Sequence, residues 1–174
     1  MKNILLTGVP GIGKTTVIEK ILSEISLNIG GFYTRELRRG KVRIGFRIVT
    51  PDGHEGILAH TDCESPWRVG KYGVNVREME RVGVAALDQA LQERDLIVMD
   101  EIGKMELFSK RFQHAVLRCL RSEKRVLGTI QKSKTPFLEA IRARKDVRLV
   151  EVTISNRDAL PQEIAGILLK ECDG

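Results

Sequence analysis

Aromatic side chains make up only 5% of the 174 residues, which leaves little material for the stacking platforms that hold single-stranded nucleic acids. Long apolar runs are missing as well. The longest, Leu96 to Met99 and Ile164 to Leu169, fall far short of the ~20 residues that cross a bilayer, which excludes membrane-spanning helices. Met1-Lys2-Asn3 passes straight into Ile4-Leu5-Leu6 and a glycine motif, without the charged region, apolar core and cleavage site of a secretory leader, so a cytoplasmic location is expected. The three cysteines, Cys63, Cys119 and Cys172, are odd in number, far apart and form no C-x-x-C pair. That excludes a disulfide framework, and they are expected to be reduced and structural. His60, Asp62 and Cys63 come nearest to a ligand cluster, but without a fourth ligand at zinc-type spacing no metal site is read there.

What is present fits one globular domain over 1–174: 42% of the residues are hydrophobic, and a chain of this length can bury a core of its own. The net charge is +6, concentrated in the basic runs Arg35 to Arg43 and Arg142 to Arg148. Such an excess suits an acidic partner, and a polyanionic nucleotide satisfies it as well as nucleic acid does. With so few aromatics, nucleic acid is not the expected partner, and a monomer is favoured. Charged residues at 30% with few Asn and Gln lean toward a thermophile.

Hydrophobic spacing gives the order of elements. Asn3 to Thr7 reads as a strand, followed by a glycine-rich turn and a helix over Thr15 to Ile25 with Val17, Ile18, Ile21, Leu22 and Ile25 on one face. After Gly30-Gly31 the period changes to two, and residues 31–60 read as an antiparallel three-stranded meander with turns at Arg39-Gly40 and Pro51-Asp52-Gly53. Asn75 is placed to cap a helix carrying Met79, Val82, Ala86, Leu87, Ala90 and Leu91, which feeds the buried strand Leu96 to Met99. Ser109 caps another helix through about Leu120. Strands over Val126–Ile130 and Val147–Ile154 enclose a helix from Pro136 to Arg144, and a last helix covers Pro161 to Lys170. Strands alternating with helices predict an α/β fold, three layers (α/β/α) around a mostly parallel sheet, with the meander inserted after the first helix.

Gly8-Val9-Pro10-Gly11-Ile12-Gly13-Lys14-Thr15 satisfies G-x-x-x-x-G-K-[ST] at every fixed position. A triphosphate must be held without bulky side chains in the way. Glycines let consecutive N–H groups turn inward around the phosphates, and the helix that follows presents its positive end to the same place. Lys14 supplies an ammonium to the β- and γ-oxygens and is one of two expected catalytic residues; Thr15 supplies a hydroxyl for Mg²⁺. The second half of the site is Leu96-Ile97-Val98-Met99-Asp100-Glu101, an apolar strand ending in acids. Asp100 is expected to hold Mg²⁺ directly or through water. Glu101, the other expected catalytic residue, is suited to orient or deprotonate the attacking water. These features predict a P-loop nucleoside-triphosphatase domain with Mg²⁺ as cofactor.

Further strings carry a more specific likeness. Gly31-Phe32-Tyr33-Thr34-Arg35-Glu36, Ile44-Gly45-Phe46, Gly70-Lys71-Tyr72-Gly73-Val74, Met99-Asp100-Glu101-Ile102-Gly103-Lys104-Met105-Glu106-Leu107, Gly128-Thr129-Ile130 and Asn156-Arg157-Asp158 follow the phosphate loop in order along nearly the whole chain. Together they resemble the small nucleoside-triphosphatase family of archaea, bacteria and animals that includes the human cancer-related nucleoside-triphosphatase. The resemblance implies one α/β P-loop domain hydrolysing ATP, GTP and other nucleoside triphosphates with little base selectivity. It also implies nucleotide contacts at Gly8, Val9, Pro10, Gly11, Ile12, Gly13, Lys14, Thr15 and Thr16, at Ile97, Val98, Met99, Asp100, Glu101, Ile102, Gly103 and Lys104, and at Arg157. The chain departs from the pattern at Gln131, where many members place His.

The sequence offers no N-K-x-D string that would single out guanine. Several cations are available to offset transition-state charge, namely Arg35, Arg68, Lys104, Arg142, Arg144 and Arg157, and the sequence does not choose among them. With no unambiguous arginine finger, slow turnover is expected. Two rival readings stand beside hydrolysis. One is a P-loop kinase whose basic segment Lys132 to Arg148 forms a lid over a small acceptor, and the other is a nucleotide-gated binding module.

Overall fold

A computed structural model describes residues 2–170, so Cys172 lies outside the described residues. Strand β1 (Asn3–Thr7) leads through the glycine loop into α1 (Lys14–Ser23). Strands β2 (Ile29–Arg39), β3 (Val42–Val49) and β4 (Glu55–His60) form the meander, and two short strands, β5 (Arg68–Val69) and β6 (Tyr72–Val74), extend it. The chain then returns as α2 (Val76–Glu78), a π-helical segment (Met79–Val84) and α3 (Ala85–Glu93). It continues through β7 (Leu96–Ile102), a 3₁₀ turn (Glu106–Phe108), α4 (Lys110–Arg121), β8 (Arg125–Ile130), α5 (Pro136–Arg142), β9 (Val147–Glu151) and α6 (Leu160–Lys170). The expected caps are in place: Asn75 accepts from the N–H of Glu78, and Ser109 Oγ accepts from the N–H of Phe112 at 3.0 Å.

The described strands form one sheet in the order β5-β6-β4-β3-β2-β7-β8-β1-β9. It is mixed, not mostly parallel. The pairings β2–β7, β7–β8, β8–β1 and β1–β9 are parallel, whereas β2–β3, β3–β4, β4–β6 and β6–β5 are antiparallel. Nor is the meander a separate insertion. Its first strand is long enough to pair in parallel with β7 over Ile29–Tyr33 and antiparallel with β3 over Tyr33–Arg39. Gly30-Gly31, after which the sequence changes to period two, lies inside that strand because helix and sheet close in on it. A Cβ on Gly31, which has φ +99°, would meet the carbonyl oxygen of Val98 at 2.0 Å, and one on Gly30 would meet Ala90 Cβ at 2.8 Å.

Period-2 alternation sends neighbouring residues of each parallel strand into different cores. Ile4, Leu6, Leu96, Val98 and Leu127 pack with Val17, Ile18 and Ile21 of α1 and Ile164 and Leu168 of α6. Leu5, Ile97, Met99 and Val126 pack with Leu87 of α3, Phe112 and Val116 of α4 and Leu138 of α5. Each such side chain contributes ~1.5–3 kcal/mol through burial, and together they fix the ends of β1, β7 and β8, where the polar residues stand. No helix among the described residues is long and apolar enough to cross a membrane.

Candidate active site

The loop after β1 turns on three glycines with positive φ, Gly8 (154°), Gly11 (78°) and Gly13 (107°), and Gly13 stands directly before α1. A side chain would strain each of these conformations, whereas glycine lets the backbone curl and leaves the first N–H groups of α1 without intrahelical partners. The Lys14 ammonium is folded over the loop and donates to the carbonyls of Gly8 (3.0 Å) and Val9 (3.3 Å). Thr16 is exposed on the first turn of the helix, and Val9, 55% exposed, stands out from the loop.

In the sheet, β8 separates the strand that carries this loop from the one that carries the acids. The gap is bridged by side chains. Thr15 Oγ1 donates to Asp100 Oδ2 at 2.9 Å, and Thr129 Oγ1, from β8, donates to Asp100 Oδ1 at 2.7 Å. Asp100 is 2% exposed. Burial pushes its proton affinity up, while the two hydroxyl bonds and the nearby charges of Arg35 and Lys14 oppose that shift. The two threonine hydroxyls thus work against burial at this carboxyl, each bonding one of its oxygens.

Glu101, one residue on, is half-buried and lines a cleft of about 520 Å³ together with Gly8, Pro10, Lys14, Lys104 and Gln131. Burial raises its proton affinity, Lys14 lowers it and Asp100 raises it further. The Asp100–Glu101 peptide bond is cis. Gly103 lies where three polar side chains converge: a Cβ there would come within 3.1 Å of Glu101 Oε1, 3.1 Å of Gln131 Oε1 and 3.2 Å of Glu106 Oε2. Gln131 itself accepts the N–H of Lys104 through Oε1 at 2.9 Å, which pins the turn after β7. Glu106 was not among the expected site residues. It is buried, lines the same cleft, and desolvation with the neighbouring charge of Glu101 pushes it up to about 8. Its one signal in the sequence is an acid set within the apolar stretch Met105 to Phe108.

Not every expected contact residue reaches the cleft. Ile97, Val98, Met99 and Ile102 are fully buried in the two cores, so their side chains support the acids from beneath and do not face a ligand. Arg157 is brought to the loop, where its Nη1 donates to the carbonyl of Ile12 at 3.2 Å. Of the other cations, Arg35 stacks on Tyr33 at 5.1 Å and pairs with Glu19 at 2.9 Å, and Lys104 lines the cleft. Arg142 bonds the carbonyls of Gln131 (2.6 Å) and Ser133 (2.9 Å), and Arg144 pairs with Asp146 at 2.5 Å. The segment 132–148 is thus a loop, helix α5 and the start of β9, the edge strand that pairs with β1, tied down by its own arginines and not built as a lid. His60 Nδ1 accepts the N–H of Asp62 within a turn. Cys119 is a core residue whose thiol burial pushes up to about 12.

The donor set suits a hard cation. A threonine hydroxyl and one carboxylate, 2.9 Å apart beside a loop shaped for phosphates, match the preference of Mg²⁺ for a few protein oxygens completed by water and phosphate.

Comparison with known proteins agrees with this arrangement. A family model described as NTPase matches residues 3–165. The nucleoside-triphosphatase THEP1 of Thermotoga maritima is 54% identical over 165 residues, covering 95% of this chain and 94% of that protein, and the protein of the same name from Methanocaldococcus jannaschii is 38% identical over 169 residues, covering 95% and 96%. The crystal structure of THEP1 from the hyperthermophile Aquifex aeolicus superposes with a TM-score of 0.87 at 38% identity, covering 97% of this chain and 99% of that one. The solution structure of a human cancer-related nucleoside triphosphatase superposes at 0.80, also at 38% identity, covering 97% of each. With the match running through both halves of the site, the chain belongs to the NTPase family.

Proposed function

We infer that the chain is a Mg²⁺-dependent hydrolase that converts nucleoside triphosphates, ATP and GTP among them, to diphosphate and phosphate, slowly and with broad base tolerance, from a three-layer P-loop domain. The observation that carries this reading is the bond between Thr15 and Asp100, which joins the phosphate loop to the acidic strand end across an intervening strand. The amides of residues 8–15 receive the phosphates, and Lys14 exchanges its loop carbonyls for phosphate oxygens. Thr15 and Asp100 would hold Mg²⁺, which when bound neutralises charge on the β- and γ-oxygens. Glu101 reaches the cleft beside Lys14 and orients or deprotonates the attacking water; its raised proton affinity moves it toward the range in which a carboxylate serves as a base. Arg157, whose bond to the Ile12 carbonyl keeps it at the loop, would contact the ribose, the base or the γ-phosphate. Among the described residues the one arginine that lines the cleft, Arg43, is tied to Tyr72 and Glu36, which supports slow turnover.

Phosphate release from ATP, GTP, CTP and UTP, with and without Mg²⁺, tests the reading. Rates within about tenfold of one another, turnover below about 10 s⁻¹ and strict metal dependence are expected. Glu101→Gln should keep nucleotide binding nearly intact and lower hydrolysis at least tenfold, and turnover at the unmodified rate in that variant would remove Glu101 from its role.

A further inference from the structure

The cleft at the phosphate loop is larger than a γ-phosphate and a water molecule require. Away from Gly8, Lys14 and Glu101 it runs under the meander, where Phe46, Leu58, Val69 and Met105 line it, and none of these can serve a phosphate or an attacking water. Arg43 closes this side, with its guanidinium 4.9 Å from the Phe46 ring centre and its Nε on the Tyr72 hydroxyl at 3.0 Å. A second hollow of about 790 Å³ adjoins the first and shares Val69, Gly70 and Lys104 with it. Its walls carry Arg68, Lys104 and Lys110 and the rings of Phe108 and Phe137, and no Asp or Glu. At its rim Trp67, the single tryptophan of the chain and 48% exposed, stands 5.4 Å from Phe108. The chain has few aromatics, yet Phe46 and Tyr72 line the inner cleft, Phe108 and Phe137 the outer hollow, and Trp67 stands against Phe108.

Flat apolar rings alternating with cations and free of carboxylates select a ligand that is itself flat and anionic. At the deep end the two acids do not undo that selection. Glu106, pushed up to about 8 by burial, is neutral at pH 7, and Glu101 faces Lys14. The volume of the outer hollow falls within the ~300–1,000 Å³ of small-molecule sites, and the inner cleft that adjoins it ends at the phosphate loop, which favours a compact molecule over a long strand.

We propose that the outer hollow is a second-ligand site, separate from the phosphate loop, for a small anion bearing a planar ring, in chemical class a nucleoside monophosphate. The ring lies against Phe108 and Trp67, and the phosphate is met by Arg68, Lys104 and Lys110. The proposal rests on the nucleotide reading of the loop only in placing the triphosphate there, and Trp67 allows the two to be tested apart.

The full chain is first saturated with Mg²⁺ and a non-hydrolysable ATP analogue, and AMP, GMP, CMP and UMP are then titrated in while Trp67 fluorescence is followed. A saturable change is expected for at least one of them with the analogue present. The double variant Arg68→Glu/Lys110→Glu, in which both residues are exposed and outside the hydrolytic machinery, should weaken that binding at least tenfold while leaving basal phosphate release within about twofold. Three results would overturn the proposal: no fluorescence change with any of the four, a change that the analogue abolishes (the monophosphate having entered the phosphate loop), or unaltered affinity in the double variant. A response to a single-stranded oligonucleotide at concentrations where the monophosphates give none would equally overturn it in favour of a nucleic-acid surface. Phosphate release from ATP measured on the same samples reports separately on the hydrolytic reading, so failure of one is not mistaken for failure of the other.

Discussion

Asp100 shows how few atoms decide the chemistry of this cleft. Burial raises its proton affinity, and two hydroxyl donors oppose that shift. Thr129→Val keeps the shape of the side chain but leaves Oδ1 without its donor. The variant should lose ~1–3 kcal/mol of stability in urea unfolding and hydrolyse more slowly, whereas Thr129→Ser, which restores the hydroxyl, should recover most of both. Glu106 makes the complementary case. Its folded-state value of about 8 lies above that of a free glutamate, so the native protein binds this proton more tightly than the unfolded chain does. The stability it confers is full below about pH 4.5 and is lost as pH rises through about 8. Between pH 5 and 9 the unmodified protein should therefore lose on the order of 3–5 kcal/mol more than Glu106→Gln, read from urea midpoints at pH 5, 7 and 9. Lys14, Thr15, Asp100 and Glu101 were legible from spacing alone because the phosphate loop and the acid-ended strand are local patterns. Glu106 and Gln131 were not. Their roles arise where the turn after β7 folds back against the end of β8, and no short string records that contact.

Helix and strand boundaries followed from periodicity and capping chemistry to within a few residues, as at Asn75 and Ser109, whose side chains accept the expected backbone N–H groups, while Thr135, not singled out in the sequence, caps α5 in the same way. The β-strand after residue 147 is the exception, ending at Glu151 instead of running to Ile154, since Asn156 Oδ1 and Nδ2 take up the N–H of Thr153 and the carbonyl of Glu151 and turn the chain. The π-helical segment Met79–Val84 also escaped notice, because its apolar positions repeat as those of an ordinary helix do. What sets it apart is packing. A Cβ on Gly83 would meet Met79 Cε at 2.6 Å and Ile48 Cδ1 at 2.8 Å, so the helix is pressed onto β3 at a point where an added methyl displaces the ends of both side chains. Helix propensity alone favours Ala over Gly by ~1 kcal/mol, but overpacking costs ~1–3 kcal/mol. Gly83→Ala should thus be destabilising, with a lower thermal midpoint, and a stabilised variant would show that Met79 and Ile48 yield freely.

Over the whole molecule, the α/β character and the meander were readable from alternation, while the joining of the two into one sheet was hidden by Gly30-Gly31. Local sequence marks a glycine pair as a break, whereas here it permits close approach. Since β2 belongs to both halves and one core includes Phe32, Ile48 and Leu58 with Ile97 and Phe112, the meander has no independent route to unfolding. Denaturation followed by Trp67 fluorescence, on the meander side, and by far-ultraviolet dichroism, dominated by the helices, should give coincident midpoints, and midpoints separated beyond experimental error would make the meander an autonomous unit. The position of β8 between the loop-bearing strand and the acid-bearing strand has a further effect. Neighbouring strands sit ~4.8 Å apart, so the two main-chain ladders on either edge of β8, with Thr129 at the rim, hold the loop-bearing and acid-bearing strands ~10 Å apart. Because the sheet alone sets that gauge, substitutions confined to the outer faces of the flanking helices leave the distance between phosphate loop and acids unchanged.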